Sequence, residues 1–328
     1  GGAWKEIGRT TLGSANDIID VINFDNKRYY MVLSSCINSG VIGLRTRVGT
    51  TTIDTASNYS RNTADNGGAY SAAVNQNFID MAFLDDSQPI FQINYLENLS
   101  AQEKLMTSST VAGEASGAGT APFRCKGVGK WVNTVAPMQS YRSYNAGTGS
   151  FDTGSEVVVL GYDPTDTHTT ADNFWQELTT KQGTGAGSPL TTDTFTAKKY
   201  LWIQMYIDSS SSPEFRVGTG GTIDTGSNYS LRTSNNGGAE DLKINQVHLN
   251  APTSKGFINM FIINNSANEK LFIYSLVDGA TTGAGNAPNR REYVGKWINT
   301  SGQIDVVQLY GSGITFNADS VIKVWGSD

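Results

Sequence analysis

Asp54-Thr-Ala-Ser-Asn-Tyr-Ser-Arg-Asn-Thr-Ala-Asp-Asn-Gly-Gly68 returns, little changed, as Asp224-Thr-Gly-Ser-Asn-Tyr-Ser-Leu-Arg-Thr-Ser-Asn-Asn-Gly-Gly238. Within it, Asn66-Gly67 and Asn236-Gly237 are tight-turn pairs, because both positions of a two-residue hairpin turn need φ > 0. The repeat extends outward from there. Gly129-Lys130-Trp131-Val132-Asn133-Thr134 matches Gly295-Lys296-Trp297-Ile298-Asn299-Thr300. Trp4-Lys5-Glu6 matches Trp175-Gln176-Glu177, and Arg47-Val48-Gly49 matches Arg216-Val217-Gly218. Glu103-Lys104-Leu105 matches Glu269-Lys270-Leu271, and Gly161 matches Gly326. The spacing between copies drifts only across Gly-, Ser- and Thr-rich stretches, where insertions into loops cost little.

The chain is therefore read as a duplication. It has a first domain at 1–163, a polar linker at 164–172 containing Pro164, and a second domain at 173–328. The 328 residues also fit about two domains by length. Two units of this size do not match the short periods of a solenoid.

Strand signals dominate each copy. Tyr29-Tyr30-Met31-Val32-Leu33, Glu156-Val157-Val158-Val159-Leu160, Phe257-Ile258-Asn259-Met260-Phe261-Ile262-Ile263 and Val321-Ile322-Lys323-Val324-Trp325 are short β-branched and aromatic runs bounded by Gly, Asn, Asp or Ser. No stretch shows the apolar period of a long amphipathic helix. The expected fold is all-β: two tandem jelly-roll-like β-sandwich domains.

Charged residues make up 16% of the chain and the net charge is −6, which argues against wrapping nucleic acid. No apolar run reaches bilayer length, and no leader pattern opens the sequence, so neither a membrane nor a secretory signal is expected. Cys36 and Cys125 both lie in copy one, opposite Ile207 and Arg291, so free, partly buried thiols contributing little to stability are expected.

The candidates for chemistry are few. The Asp54–Gly68 and Asp224–Gly238 motifs could offer oxygens to Ca²⁺ or to a sugar beside Tyr59 or Tyr229, but no second carboxylate stands at EF-hand spacing. Structural turns with Tyr59 and Tyr229 as core or interface aromatics are the plainer reading. Gly117-Ala118-Gly119 and Gly283-Ala284-Gly285 lack the context of a phosphate cradle. His168 falls in the linker and His248 in an expected strand, neither beside a nucleophile motif. Glu6/Glu177 and Glu103/Glu269 read as surface or capping residues. Trp131 and Trp297, with Trp4 and Trp175, are either stacking platforms or plugs of a core or interface. Tyr59, Tyr229, Trp131 and Trp297 are the residues singled out for an interface or ligand contact. No cofactor is expected.

Residues 4–13 (WKEIGRTTLG), 145–161 (NAGTGSFDTGSEVVVLG) and 283–292 (GAGNAPNRRE), the last followed by Gly295-Lys296-Trp297, resemble a virion-protein module of tailed bacteriophages. The resemblance covers nearly the whole chain, once per copy, with a departure at the end of copy two around Phe316 and Trp325. It implies a non-enzymatic structural component of the particle: a capsid decoration, head-fibre or tail accessory protein. The expected setting is the virion and the expected partners are other virion proteins and copies of itself, with assembly closed by symmetry. The rival expectation is a carbohydrate-binding or host-adhesion module that contacts a surface glycan through loop aromatics.

Overall fold

The computed structural model describes residues 3–83, 88–167, 169–252, 254–279 and 281–328. The chain forms two compact units. Unit 1 comprises Gly1–Ala115 and Phe123–Phe174; unit 2 comprises Ser116–Pro122 and Trp175–Asp328. Seven residues from the first half of the sequence thus belong to the second unit.

Each unit is a two-sheet β-sandwich. In unit 1 the large sheet runs, edge to edge, Lys5–Thr11, Glu156–Tyr162, Tyr29–Cys36, Ile90–Glu97, Lys104–Ala112, Phe123–Trp131, Tyr59–Asp65 and Ser71–Gln76. Its smaller sheet runs Ile18–Ile22, Ser140–Asn145, Gly43–Gly49 and Asp80–Phe83. Unit 2 repeats the large sheet in the same order: Gln176–Gln182, Val321–Ser327, Tyr200–Asp208, Lys255–Ile263, Lys270–Asp278, Asn289–Trp297, Tyr229–Asn235 and Glu240–Gln246. Leu190–Thr191, Val306–Tyr310, Glu214–Thr219 and Thr222–Ile223 form the second sheet, with Leu249–Asn250 paired onto Glu214–Thr219. These pairings are antiparallel, and the chain crosses between the sheets several times, but Ile90–Glu97, Lys104–Ala112 and Phe123–Trp131 follow one another within the large sheet of unit 1, as do Lys255–Ile263, Lys270–Asp278 and Asn289–Trp297 in unit 2. Among the described residues the single helix is one 3₁₀ turn, Thr170–Asp172, in the segment expected to be a linker.

The repeated Asn-Gly pairs close the same hairpin in both units. Asn66 and Gly67 have φ of 47° and 69°; Asn236 and Gly237 have 52° and 73°. Two consecutive positive φ values define the turn whose twist matches the flanking strands. Both hairpins also carry a register shift, at Tyr59/Arg61 and at Tyr229/Leu231. Asn75 and Asn245 adopt left-handed backbone at these irregularities.

Alternate side chains of each large sheet point inward. Val32, Tyr59, Met106, Trp131, Tyr141 and Val159 meet in the core of unit 1. Ile203, Tyr229, Met260, Phe272, Trp297 and Val324 meet in that of unit 2. The two cores differ in chemistry. At inward positions where unit 2 has Ile258, Met260, Tyr274 and Leu276, unit 1 has Gln92, Asn94, Ser108 and Thr110, all buried.

Cys36 and Cys125 are not joined in a disulfide, and both are fully buried rather than partly buried as expected. Burial pushes the Cys36 thiol up to about 12, so it is not a nucleophile at neutral pH. Thermal melts with and without reductant are expected to coincide. Cys36→Ala should still cost about 1 kcal/mol, because it leaves a small void in a packed core. A melting temperature that falls only under reducing conditions would instead reveal a disulfide.

Candidate functional site

The duplicated motif builds a clasp inside each unit. The Tyr59 hydroxyl donates to the carbonyls of Val48 at 2.6 Å and Asp54 at 2.8 Å. Trp131 Nε1 donates to Asp54 Oδ2 at 2.8 Å; Asn58 Nδ2 reaches the same oxygen and the Ala56 N–H reaches Oδ1. Unit 2 reproduces each bond. Tyr229 donates to Val217 and Asp224, Trp297 Nε1 donates to Asp224 Oδ2 at 2.7 Å, and Asn228 and Gly226 complete the set. Burial would raise the Asp54 carboxyl, but N–H donors from Asn58, Trp131 and Ala56 bring it below the usual carboxylate range. Those donors point positive dipoles at the oxygens, the reverse of what a bound Ca²⁺ requires.

A buried lysine completes each clasp. Lys104 Nζ donates to the carbonyls of Ser100, Gln102 and Asn133 and lies 5.8 Å from the Trp131 ring centroid. Lys270 does the same with Ser266, Asn268 and Asn299, again 5.8 Å from Trp297. Burial pushes the Lys270 ammonium down to about 8. Tyr59, Tyr229, Trp131 and Trp297 therefore all lie in the cores of their units, with their polar atoms bonded internally. Of the two readings open to them in the sequence, the structure gives packing, and none presents its ring at the surface.

The other candidates fall in different places. His248 sits in the bend before Leu249–Asn250, not within a strand, and its Nδ1 lies 3.2 Å from Glu214 Oε2. Burial lowers this imidazole while Glu214 opposes the shift. His168 lies outside the described residues. Glu6 and Glu177 are exposed and pair with Arg9 and Lys323. Glu103 is half-buried and accepts from Lys130, and Glu269 is not a surface group. It is buried, because Ser116–Pro122 belongs to the same unit and the Gly117 N–H donates to its Oε1 at 2.6 Å.

What the sequence did not single out is the outer face of the large sheet in unit 1. An open groove of about 810 Å³ crosses it. Trp4, Tyr29, Tyr95 and Tyr162 form one wall, with Trp4 and Tyr162 at 5.9 Å between centroids and Tyr29 stacked on Tyr162 at 6.1 Å. The Arg28 guanidinium lies over Tyr29 and pairs with Glu97 at 3.2 Å. Val74, Leu105 and Val128 make the floor, all exposed. Ser60, Asn62 and Lys130 edge the far side, where Lys130 Nζ bonds Glu103 Oε2 at 2.9 Å. Alternation along strands carried the one available signal: Tyr95, Leu105 and Val128 fall on the face opposite the inward positions Leu96, Met106 and Gly129. Leucine and valine on an outward face ask for a cover.

No family model matches the chain, and no curated protein matches it.

Proposed function

We propose that this chain is a non-catalytic structural protein that works by association, with copies of itself and with other components of a virus particle. The observation that carries the reading is the apolar groove of unit 1, where Leu105 and Val128 are 56% and 50% exposed on one sheet face beside two exposed tyrosines. Contiguous apolar surface of this kind marks an interaction site. Aromatic anchors set in a concave patch are the features that dominate protein–protein contacts. The motifs repeated between the copies support the reading too, since they make turns and core clasps rather than a reactive centre. The virion setting comes from the resemblance to tailed-phage modules.

The second reading, a carbohydrate-binding module, is favoured by one feature: the wall of Trp4, Tyr29, Tyr95 and Tyr162 offers ring faces of the type on which sugars stack. Sedimentation velocity over a wide concentration range and a glycan array separate the two. Association should appear as species heavier than the 35.2 kDa chain, with no saturable glycan signal. A chain that stays monomeric alone and is never incorporated into a particle sinks the structural reading. Saturable glycan binding lost in Tyr95→Ala would put the second in its place.

A further inference from the structure

Duplication leaves one loop docked and its twin undocked. In unit 2, Ser116–Pro122 lies on the outer face of the large sheet through four hydrogen bonds. The Gly117 N–H donates to Glu269 Oε1 at 2.6 Å, and the Asn245 N–H donates to the Ala118 carbonyl at 2.9 Å. Ser230 Oγ donates to the Thr120 carbonyl at 3.0 Å, and Arg232 Nε donates to the Pro122 carbonyl at 2.8 Å. Ala118 and Ala121 are buried, and their small side chains let the loop backbone approach the sheet.

Its twin is Gly283-Ala284-Gly285-Asn286-Ala287-Pro288, against Gly117-Ala118-Gly119-Thr120-Ala121-Pro122. The bend is the same: Gly117 and Gly283 have φ of 85° and 95°. Yet residues 281–288 are all exposed. The three bonds that Thr120, Ala118 and Pro122 accept go to backbone carbonyls, so the change from Thr120 to Asn286 does not remove them.

The receiving surface is duplicated as well. Ser60 stands for Ser230, Asn75 for Asn245 with the same left-handed backbone, and Glu103 for Glu269. Lys130 takes Oε2 of Glu103, just as Lys296 faces Oε2 of Glu269 at 3.5 Å, so in both units Oε1 is the oxygen placed for a loop N–H. Asn62 replaces Arg232, and its side-chain Oδ1 has no hydrogen-bond partner. Turned end for end, that amide offers an N–H to a carbonyl as Arg232 does. Two of the three floor residues differ in cover: Leu105 and Val128 are 56% and 50% exposed, while Leu271 and Val294, on the face that carries Ser116–Pro122, are 0% and 2% exposed; the third, Val74, and its counterpart Ile244 are exposed in both units.

We infer that a second copy of this chain seats its 281–288 loop in the unit 1 groove, repeating between molecules the contact that Ser116–Pro122 makes in unit 2. The inference rests on the association reading and names its surface. Because the two patches are different, the contact is head-to-tail, and copies joined this way close into a ring or run on as a filament.

Two exposed substitutions in the full chain test it: Ala287→Arg spoils the loop and Leu105→Arg spoils the groove. Each should weaken self-association by about tenfold or more in sedimentation velocity, with the far-UV circular dichroism unchanged. Mixed together, they should form pairs and nothing larger, since only the intact loop of Leu105→Arg and the intact groove of Ala287→Arg can meet. A disulfide between Ser60→Cys in one molecule and Asn286→Cys in another, templated on the Ser230–Thr120 contact, should form in the mixture of the two single variants when air oxygen is the oxidant. If the parent associates but both arginine variants associate equally well, the loop-in-groove contact is wrong and the association reading stands. If variants and mixture form pairs without any change from the parent's ladder of species, the contact is likewise wrong. A parent that is monomeric at every concentration, yet enters particles with other proteins, overturns the second-copy contact alone; one that does neither overturns both.

Discussion

Trp297→Ala should lower the stability of the chain by about 4 kcal/mol, and its melting temperature by about 10 °C. Trp297 is fully buried in the core of unit 2 and is among its largest side chains. Truncation removes the apolar contacts of an indole and leaves a cavity that strands held at both flanks cannot fully close. A second loss is electrostatic. Asp224 loses the indole N–H at 2.7 Å, and Lys270 loses the ring beneath its ammonium. Trp297→Phe separates the two, because it keeps most of the buried area and drops only the N–H; it should cost about 1–2 kcal/mol. Asp224→Ala tests the other end and should cost a similar amount, since it strips Trp297, Asn228 and Gly226 of one acceptor at once. A drop of less than about 1 kcal/mol for Trp297→Ala in chemical denaturation would mean that the clasp is not what holds unit 2 together.

The clasp also shows how far sequence alone reaches. Two copies of Asp-Thr-x-Ser-Asn-Tyr-Ser and of Gly-Lys-Trp announce that the tyrosine, the aspartate and the tryptophan matter together. The Asn-Gly turns and the β-branched runs give the strands and the hairpin, because both are local signals. Whether the aromatics face a core or a partner is not local. It depends on which strand lies across the sandwich, and Tyr59 finds Val48 through a pairing of sheets that no spacing encodes. The membership of Ser116–Pro122 in unit 2 is hidden for the same reason: a Gly-Ala-Gly loop has the same local conformation docked or free, as Gly283-Ala284-Gly285 shows. The groove, by contrast, was within reach of strand alternation. Repetition does not reveal it, because Leu105 and Val128 are matched by Leu271 and Val294, and a match between copies marks a position without saying whether anything covers it.

The polar core of unit 1 was legible too, by setting the copies side by side, and it carries the second large effect. Asp80→Ala should cost about 3 kcal/mol. Asp80 is buried, and its Oδ2 accepts from Ser108 Oγ at 2.6 Å and from Gln92 Nε2 at 3.1 Å. The same Gln92 amide donates to Thr110, and its oxygen accepts from Asn94, which in turn donates to Tyr141 at 2.7 Å. Arg61 sits near enough for the Asp80 charge to oppose the fall in its basicity that burial causes. Removing the carboxylate therefore leaves a buried hydroxyl and a buried amide short of an acceptor and a guanidinium short of a counter-charge. Each such orphan costs more than the intact bond contributed. Asp80→Asn keeps the shape and one acceptor oxygen, so its cost should be smaller, by about half, with the remainder measuring the charge. Unit 2 fills the same layer with Ile258, Met260, Tyr274 and Leu276, so the fold does not demand polarity there. What unit 1 builds there is an acceptor, Asp80 Oδ2, for the Ser108 hydroxyl and the Gln92 amide. If Asp80→Ala unfolds at the parent's denaturant concentration, water already serves those groups and the network is not a unit. If it unfolds far earlier while Asp80→Asn stays near the parent, one acceptor oxygen at this position is what the layer is built around, and the carboxylate charge adds little.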